Sequence, residues 1–281
     1  MSAKNQVFLV LFQERYNADD GALAHSMVTL DEVADAIRQV NRDRDLSLSD
    51  RNPANFIKDY LRSNRRNEIW PDEIRQAGFT ARQRTGAGLC FEFVPIGPGE
   101  DPFPEDYAPT GQEPTFTIQT LSLPVTTREI VRVDEQSLAQ IAVKLHLLEH
   151  FLANSGSLVE QGLREITHLQ NNVKLSSSEV DALYQATVGR GGDFEVGAIA
   201  VEVKIGDPII AEQIEKQALA VLADDAFQFC LPVIVKRTRK GEVVALHLAP
   251  VRREQIVDGT IELGPVIFGA RYIFVPELPK I

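Results

Sequence analysis

The sequence predicts an α/β protein in two parts: an N-terminal α+β domain of helices closed by a β-hairpin, then a C-terminal domain in which strands and helices alternate. Three observations predict it. Capped helical periodicities followed by a hairpin signal fill residues 29–95. A proline-rich acidic stretch follows at 96–115. Beyond it, Ile199-Ala200-Val201-Glu202-Val203-Lys204-Ile205 is a β-branched run bounded by Gly197 and by Gly206-Asp207-Pro208, with a helical pattern after it. The 281 residues suffice for two ordinary domains, and 44% apolar with 25% charged residues is an ordinary globular composition.

Taking the elements in order, MSAKNQVFLVLFQERYN has an apolar patch too short to span a bilayer and no cleavage-site pattern. It reads as a strand, with no membrane segment. Thr29 caps a helix with Glu32 three residues on, and Val33, Ile37 and Val40 form its apolar stripe to about Asn41. Asn52-Pro53 opens a second helix whose buried side is Phe56, Ile57, Tyr60 and Leu61. Trp70-Pro71 opens a third, short helix ending at Gly78. Phe79–Arg84 and Leu89–Val94, joined by Thr85-Gly86-Ala87-Gly88, make the hairpin.

Three helices and a hairpin over residues 29–95 resemble the winged helix-turn-helix family. The resemblance implies double-stranded DNA as partner, with the third helix, carrying Arg75, in the major groove. It puts Arg82 and Arg84 on one face of the wing and Arg62, Arg65 and Arg66 in the preceding turn. Phosphate contacts from such groups give salt-dependent affinity, and base-edge contacts give sequence choice. A net charge of −11 opposes nucleic-acid binding by the chain as a whole, so positive charge must be local. It is: Arg51, Lys58, Arg62, Arg65, Arg66, Arg75, Arg82 and Arg84 face only Asp59, Glu68, Asp72 and Glu73. A small helical domain with solvated arginines, or a winged helix used for protein contacts, would show the same pattern.

Residues 96–115 hold five prolines, five acidic residues and no basic one, and read as an extended linker between domains at 1–95 and 116–281. Phe116–Leu123 and Glu129–Val133 read as short strands. Leu138, Ile141, Leu145, Leu148 and Leu152 mark one helix over Glu135–Asn154. A short helix over Ser157–Ile166 leads to a strand through Val173 and Leu175, then to a strand at Val180–Tyr184. Asp207-Pro208 caps a helix to about Ala223, buried along Ile210, Ile214, Ala218 and Leu222, with Gln213 close to the strand end. Phe227–Val235 reads as a central strand, Lys236–Gly241 as a basic turn, and Val243–Pro250 and 255–275 as further strands.

The chemistry gathers on two of these strands. Alternation puts Glu202 and Lys204 on one face, with Val201, Val203 and Ile205 on the other. Asp181 lies near the start of the neighbouring strand, so two carboxylates and a lysine are expected on the exposed faces of adjacent strands. Carboxylates are hard oxygen ligands suited to Mg²⁺, and a lysine beside them can orient or deprotonate an attacking water. That set suits phosphodiester hydrolysis.

Asp181 followed by Glu202-Val203-Lys204 resembles the motif of the restriction-endonuclease-like (PD-(D/E)XK) nuclease superfamily, over roughly residues 135–250. The resemblance implies a mixed β-sheet flanked by helices, with the motif on adjacent strands. It implies Mg²⁺ held by Asp181, Glu202 and the Val203 carbonyl, with Lys204 positioning the water. It allows a further carboxylate on the preceding helix, for which Glu149 is the best placed. The two-part layout is similar to that of certain Type II restriction endonucleases, which implies a homodimer on a palindromic target. Asp193 also precedes Glu202 at an acceptable distance, but lies in a glycine-rich turn where Asp has backbone reasons to occur. Arg190 and those glycines would approach DNA. An ordinary Glu–Lys pair on a half-exposed sheet is the alternative.

Two other functions fit parts of the chain. His146-Leu147-Leu148-Glu149-His150 matches H-x-x-E-H, a zinc-peptidase pattern, with Glu212 or Glu215 as third ligand. It leaves Asp181, Glu202 and Lys204 without a role. A DNA-binding regulator with a non-catalytic second domain is the other. His25, His168 and His247 have no ligand spacing. Cys90 and Cys230 make no metal or disulfide pattern, and a reducing cytoplasm fits.

Overall fold

The computed structural model describes residues 2–63, 65–84, 88–130, 134–239 and 241–278. Thr85–Ala87 of the expected hairpin turn, Val131–Val133 of the expected strand and Lys240 of the basic turn lie outside the described residues. The chain divides into two compact units, Met1–Glu105 and Asp106–Ile281. No helix among the described residues is long and apolar enough to cross a membrane.

The first unit runs α1 (Ala3–Gln13), β1 (Tyr16–Asn17), β2 (Ala22–Leu23), β3 (Met27–Thr29), α2 (Leu30–Arg44), α3 (Ala54–Leu61), α4 (Arg66–Ile69), α5 (Asp72–Gln76), β4 (Phe79–Gln83) and β5 (Leu89–Pro95). β3, β5 and β4 form an antiparallel sheet in that order, and β1 pairs with β2 alone. The N-terminal run is a helix, not the expected strand. The Asn5 amide donates to the Ser2 hydroxyl at its cap. Val7, Phe8, Leu9, Leu11 and Phe12 are all buried, so the helix is apolar nearly all round and shows no stripe. A short apolar run of that kind has no period to separate helix from strand. The Phe8 ring meets Phe56 (4.9 Å), Tyr60 (5.1 Å), Trp70 (4.9 Å) and Phe91 (5.4 Å), so α1 organises the core of this unit. The Thr29–Glu32 capping box at α2 is as the sequence predicts.

The acidic, proline-rich segment forms no helix or strand before Thr115, yet both its ends are fixed. Phe103 is buried, its amide donates to Asn67 Oδ1 (2.7 Å) and its carbonyl accepts from Arg66 Nε (3.1 Å). Asp106 Oδ2 accepts from the Ala211 amide (3.0 Å), and Glu113 pairs with Arg271 (3.3 Å). The unit boundary therefore falls inside the segment, and the segment is not a free linker.

The second unit runs β6 (Thr115–Gln119), α6 (Val125–Ile130), α7 (Glu135–Lys144), α8 (Leu147–Ala153), α9 (Gly156–Glu160), β7 (Leu163–Lys174), β8 (Glu179–Arg190), β9 (Asp193–Lys204), α10 (Ala211–Leu222), β10 (Phe229–Arg239), β11 (Glu242–Leu248), β12 (Val251–Arg252) and β13 (Val266–Val275). The sheet is mixed, in the order β6-β13-β11-β10-β9-β8-β7, with β12 pairing β10. β7, β8 and β9 form an antiparallel meander, and α10 carries the chain over to β10, parallel to β9. Residues 129–130 belong to α6 where a strand was expected, residues 163–166 open β7 where a helix was expected, and residues 236–239 continue β10 where a turn was expected. The single helix expected over 135–154 breaks at His146, which is left-handed (φ 52°).

Alternation along β9 and β10 sets the two layers. Ile199, Val201, Val203, Leu231, Val233 and Val235 face α7 and α8. Ala198, Ala200 and Cys230 face Ala218, Val221 and Leu222 of α10. Small residues on that second face let the helix approach closely, which brings its polar side chains to the strand ends.

Candidate active site at the ends of β8 and β9

The start of β8 and the end of β9 lie side by side because the strands are antiparallel. Their ladder ends at Ala182 opposite Val201. One step further, Asp181 Oδ2 accepts from the Val203 amide at 2.7 Å. A side chain thus takes the place of a ladder bond where the strands part, while β9 stays paired with β10 as far as Lys204 opposite Lys236.

Glu202 and Lys204 share one face, as alternation predicts, but that face is covered by α10 rather than exposed as expected; the two form an ion pair. Their exposure is 3% and 7%. Glu202 also accepts from Gln213 Nε2 (2.5 Å) and from Gln217 Nε2, one turn apart on α10. Gln217 Nε2 reaches the Glu179 carbonyl as well (2.9 Å). Lys204 Nζ lies 3.4 Å from Glu135 Oε1 at the first residue of α7. Asp181 and Glu135 are half-buried and form the open side of the cluster.

Three carboxylates therefore surround one ammonium in a partly dry site. Burial, with the charge of Glu202 next, raises the Asp181 pKa to about 6. Burial pushes Glu202 up, against the pull of Lys204 and Gln217. Glu135 is also raised, by burial and then by Asp181, with Lys204 opposing. For Lys204, burial works against the charge, but Glu202, Glu135 and Asp181 outweigh it and its pKa stands above the ordinary value. Lys204 is charged at neutral pH.

The oxygen donors of this cluster are of the chemical type that could hold a hard divalent cation. With all groups ionised the cluster carries two more negative than positive charges, which one such ion would balance. Among the described residues no group of three or more His, Cys, Asp or Glu side chains is arranged to hold a metal. The protein's ligands would be Asp181, Glu202 and the Val203 carbonyl, with water completing the shell, as Mg²⁺ commonly keeps it.

The other expected residues are placed as follows. Glu149 does not join the cluster. It lies on α8, across the sheet, with Oε1 3.2 Å from His146 Nδ1 and its charge acting on Tyr184 in the opposite core. The carboxylate on the preceding helices that reaches the cluster is Glu135, because the start of α7, and not α8, passes the end of β9. Arg190 and Asp193 stand at the far end of the β8–β9 hairpin, nine residues from Asp181 and Glu202, or about 30 Å along an extended strand. Arg190 donates there to the Glu160 carbonyl. That distance removes Asp193 as an alternative to Asp181 and takes Arg190 away from the cluster.

In the first unit Arg62, Arg65, Arg75 and Arg82 are exposed. Arg65 pairs with Glu68 (2.9 Å), Arg75 with Asp72 (2.5 Å) and Arg84 with Glu92 (2.9 Å). Arg66 is buried at 9% exposure and holds the Phe103 carbonyl, so it serves packing rather than a surface contact. Arg75 lies on the five-residue α5 rather than on a full helix. His146 and His150 take different partners, Glu149 and the Tyr272 hydroxyl (2.9 Å), and no metal-holding group joins them among the described residues.

Sequence reasoning missed Glu135 and Gln217. The i, i+4 spacing of Gln213 and Gln217 after the motif was a usable signal, since it puts both amides on one helical face. Glu135 carried none, because its approach depends on where α7 begins relative to the sheet. Compared with protein-family models, characterised proteins and solved structures, the chain matches none.

Proposed function

We propose that the protein is a Mg²⁺-dependent endonuclease that hydrolyses phosphodiester bonds of double-stranded DNA, similar in layout to Type II restriction endonucleases. The observation that carries this reading is the convergence of Asp181, Glu202 and Lys204, from two strands, at the point where those strands part. Bound Mg²⁺ would supply Lewis acidity toward a phosphoryl oxygen and acidify a coordinated water. Asp181 and Glu202 hold negative charge there, and Glu135 keeps Lys204 beside them. Lys204 stays protonated under three carboxylates, so it orients the attacking water as a donor, and the proton of that water would pass to bulk solvent rather than to Lys204. The first unit supplies DNA recognition as a winged helix. With α1 a helix, the order α1-β3-α2-α3-β4-β5 makes α3 the third of the full-length helices, so Lys58 and Arg62 replace Arg75 as the groove-facing cations. A palindromic target would be served by a two-fold homodimer with one site per strand.

The low exposure of Glu202 and Lys204 favours a second reading, a DNA-binding regulator whose second unit is a scaffold. One experiment separates the two. Wild type and Asp181→Asn are incubated with supercoiled plasmid and Mg²⁺, and DNA affinity is measured in parallel. The nuclease reading expects discrete bands from wild type and uncut plasmid from the variant, with affinity within a few-fold. Full cutting by Asp181→Asn would remove this cluster from the chemistry. A gel shift by wild type with no cutting would leave the regulator.

A further inference from the structure

Gln217 has more to do at this cluster than fill space. It is 1% exposed, and one amide nitrogen serves two strands: it donates to Glu202 on β9 and to the Glu179 carbonyl on β8, two residues before Asp181. The ladder has already ended at Ala182, so beyond that point the strand ends are tied by the Asp181–Val203 bond and by this bridge. Those two ties bridge the strand ends beyond the ladder, while β8 stays paired with β7 and β9 with β10. Glu202 is further fixed in orientation. A carboxylate has about four lone-pair sites. Gln213 and Lys204 take sites on Oε1 and Gln217 takes one on Oε2. About one site is left for a further partner.

We propose that Gln217, assisted by Gln213, is a positioning residue that limits Glu202 to one-point ligation and so selects a small, octahedral, water-keeping cation over a larger one. Mg²⁺ and Mn²⁺ accept one oxygen per carboxylate and retain waters. Ca²⁺ takes six to eight oxygens and gains from bidentate carboxylates and a site that can widen. With Gln217 in place Glu202 cannot turn to offer both oxygens, and the strand ends stay bridged. Freed from it, Glu202 gains a second available oxygen and one of the two ties is gone. The selectivity, rather than the affinity for either ion alone, is the property Gln217 controls. This inference rests on the divalent-ion reading of the cluster.

The test uses the full chain without DNA. Mn²⁺ binding is read from the loss of the free-ion electron paramagnetic resonance signal, and Ca²⁺ binding from its displacement of Mn²⁺. Wild type should prefer Mn²⁺ over Ca²⁺ by at least about ten-fold, and Gln217→Met should lose most of that preference, a change of the size that outer-shell partners typically impose on metal sites. A general weakening of the fold would lower both affinities together and leave their ratio in place. Should Gln217→Met not fold, Gln217→Leu, which likewise removes the amide bridge between Glu202 and the Glu179 carbonyl, carries the same expectation. An unchanged ratio in the folded variant overturns the role of Gln217 and leaves the divalent site standing. Absence of Mn²⁺ binding by folded wild type overturns both.

Discussion

Asp181 is held as a carboxylate in a place that disfavours its charge. Its pKa of about 6 exceeds the ordinary 3.8, so between those values the folded protein binds more protons than the unfolded chain. Stability from this group is therefore greatest below about pH 4, falls as pH rises toward 6, and stays reduced above it. Asp181→Asn removes the penalty while keeping an oxygen for the Val203 amide. At pH 7.5 without metal the variant should be more stable than wild type by on the order of 1–3 kcal/mol, and at pH 3.5 the two should coincide. Thermal melts at both values check this, and a variant less stable at pH 7.5 would contradict it. Lys204 is the opposite case. Lys204→Ala leaves Glu202 buried without its cation, which costs on the order of 3–5 kcal/mol. Urea unfolding should show that loss, so lost cleavage in Lys204→Ala would not by itself identify a catalytic role. Alternation along one strand made Glu202 and Lys204 legible, since a β-branched run has no local reason to carry two charges on one face. Glu135 was not legible, because its meeting with those charges depends on how α7 docks; Gln217 was legible only through its i, i+4 spacing from Gln213.

Elements with strong local signals were legible, and those shaped by packing were not. α2 shows its capping box in four letters; the sequence placed β8, β9 and α10 but not their extent, since β8 runs on to Arg190, β9 begins at Asp193, and α10 opens at Ala211 after Ile210 with no cap from Asp207-Pro208. α1 hid its period because the unit folds around it. The break at His146 is announced by no proline or glycine in the sequence. The β4–β5 hairpin carries the element-scale consequence for DNA. Arg82 lies opposite Glu92 in the register and Arg84 bonds the same carboxylate, so both arginines share one face with a single acid between them. If that face meets phosphates, Arg82→Ala with Arg84→Ala removes two contacts and should flatten the slope of log affinity against log salt by about 2. Affinity titrations at several salt concentrations read the slope directly, and an unchanged slope would take the hairpin out of the interface.

For the molecule as a whole, composition placed the division between units within residues 96–115, and the contacts place it between Glu105 and Asp106. Long-range pairing was beyond composition: nothing local says that β6 and β13 run parallel, since 146 residues (120–265) lie between Gln119, the last of β6, and Val266, the first of β13. Separate cores imply separable stabilities, and the chain carries its own reporter. Its single tryptophan, Trp70, is 2% exposed in the aromatic cluster around Phe8, so tryptophan fluorescence reads the first unit alone. Phe8→Ala should destabilise that unit by about 3–5 kcal/mol through lost burial and the cavity left among four rings. For a unit of this size the fluorescence transition should fall by on the order of 15 °C or more. The strand-dominated far-ultraviolet signal comes mostly from the second unit, whose core contains no residue of the Phe8 cluster, and its main transition should move far less. Equal shifts in both signals would mean that the two units unfold as one cooperative body, and any account that assigns recognition to one unit and chemistry to the other would then have to include their mutual stabilisation.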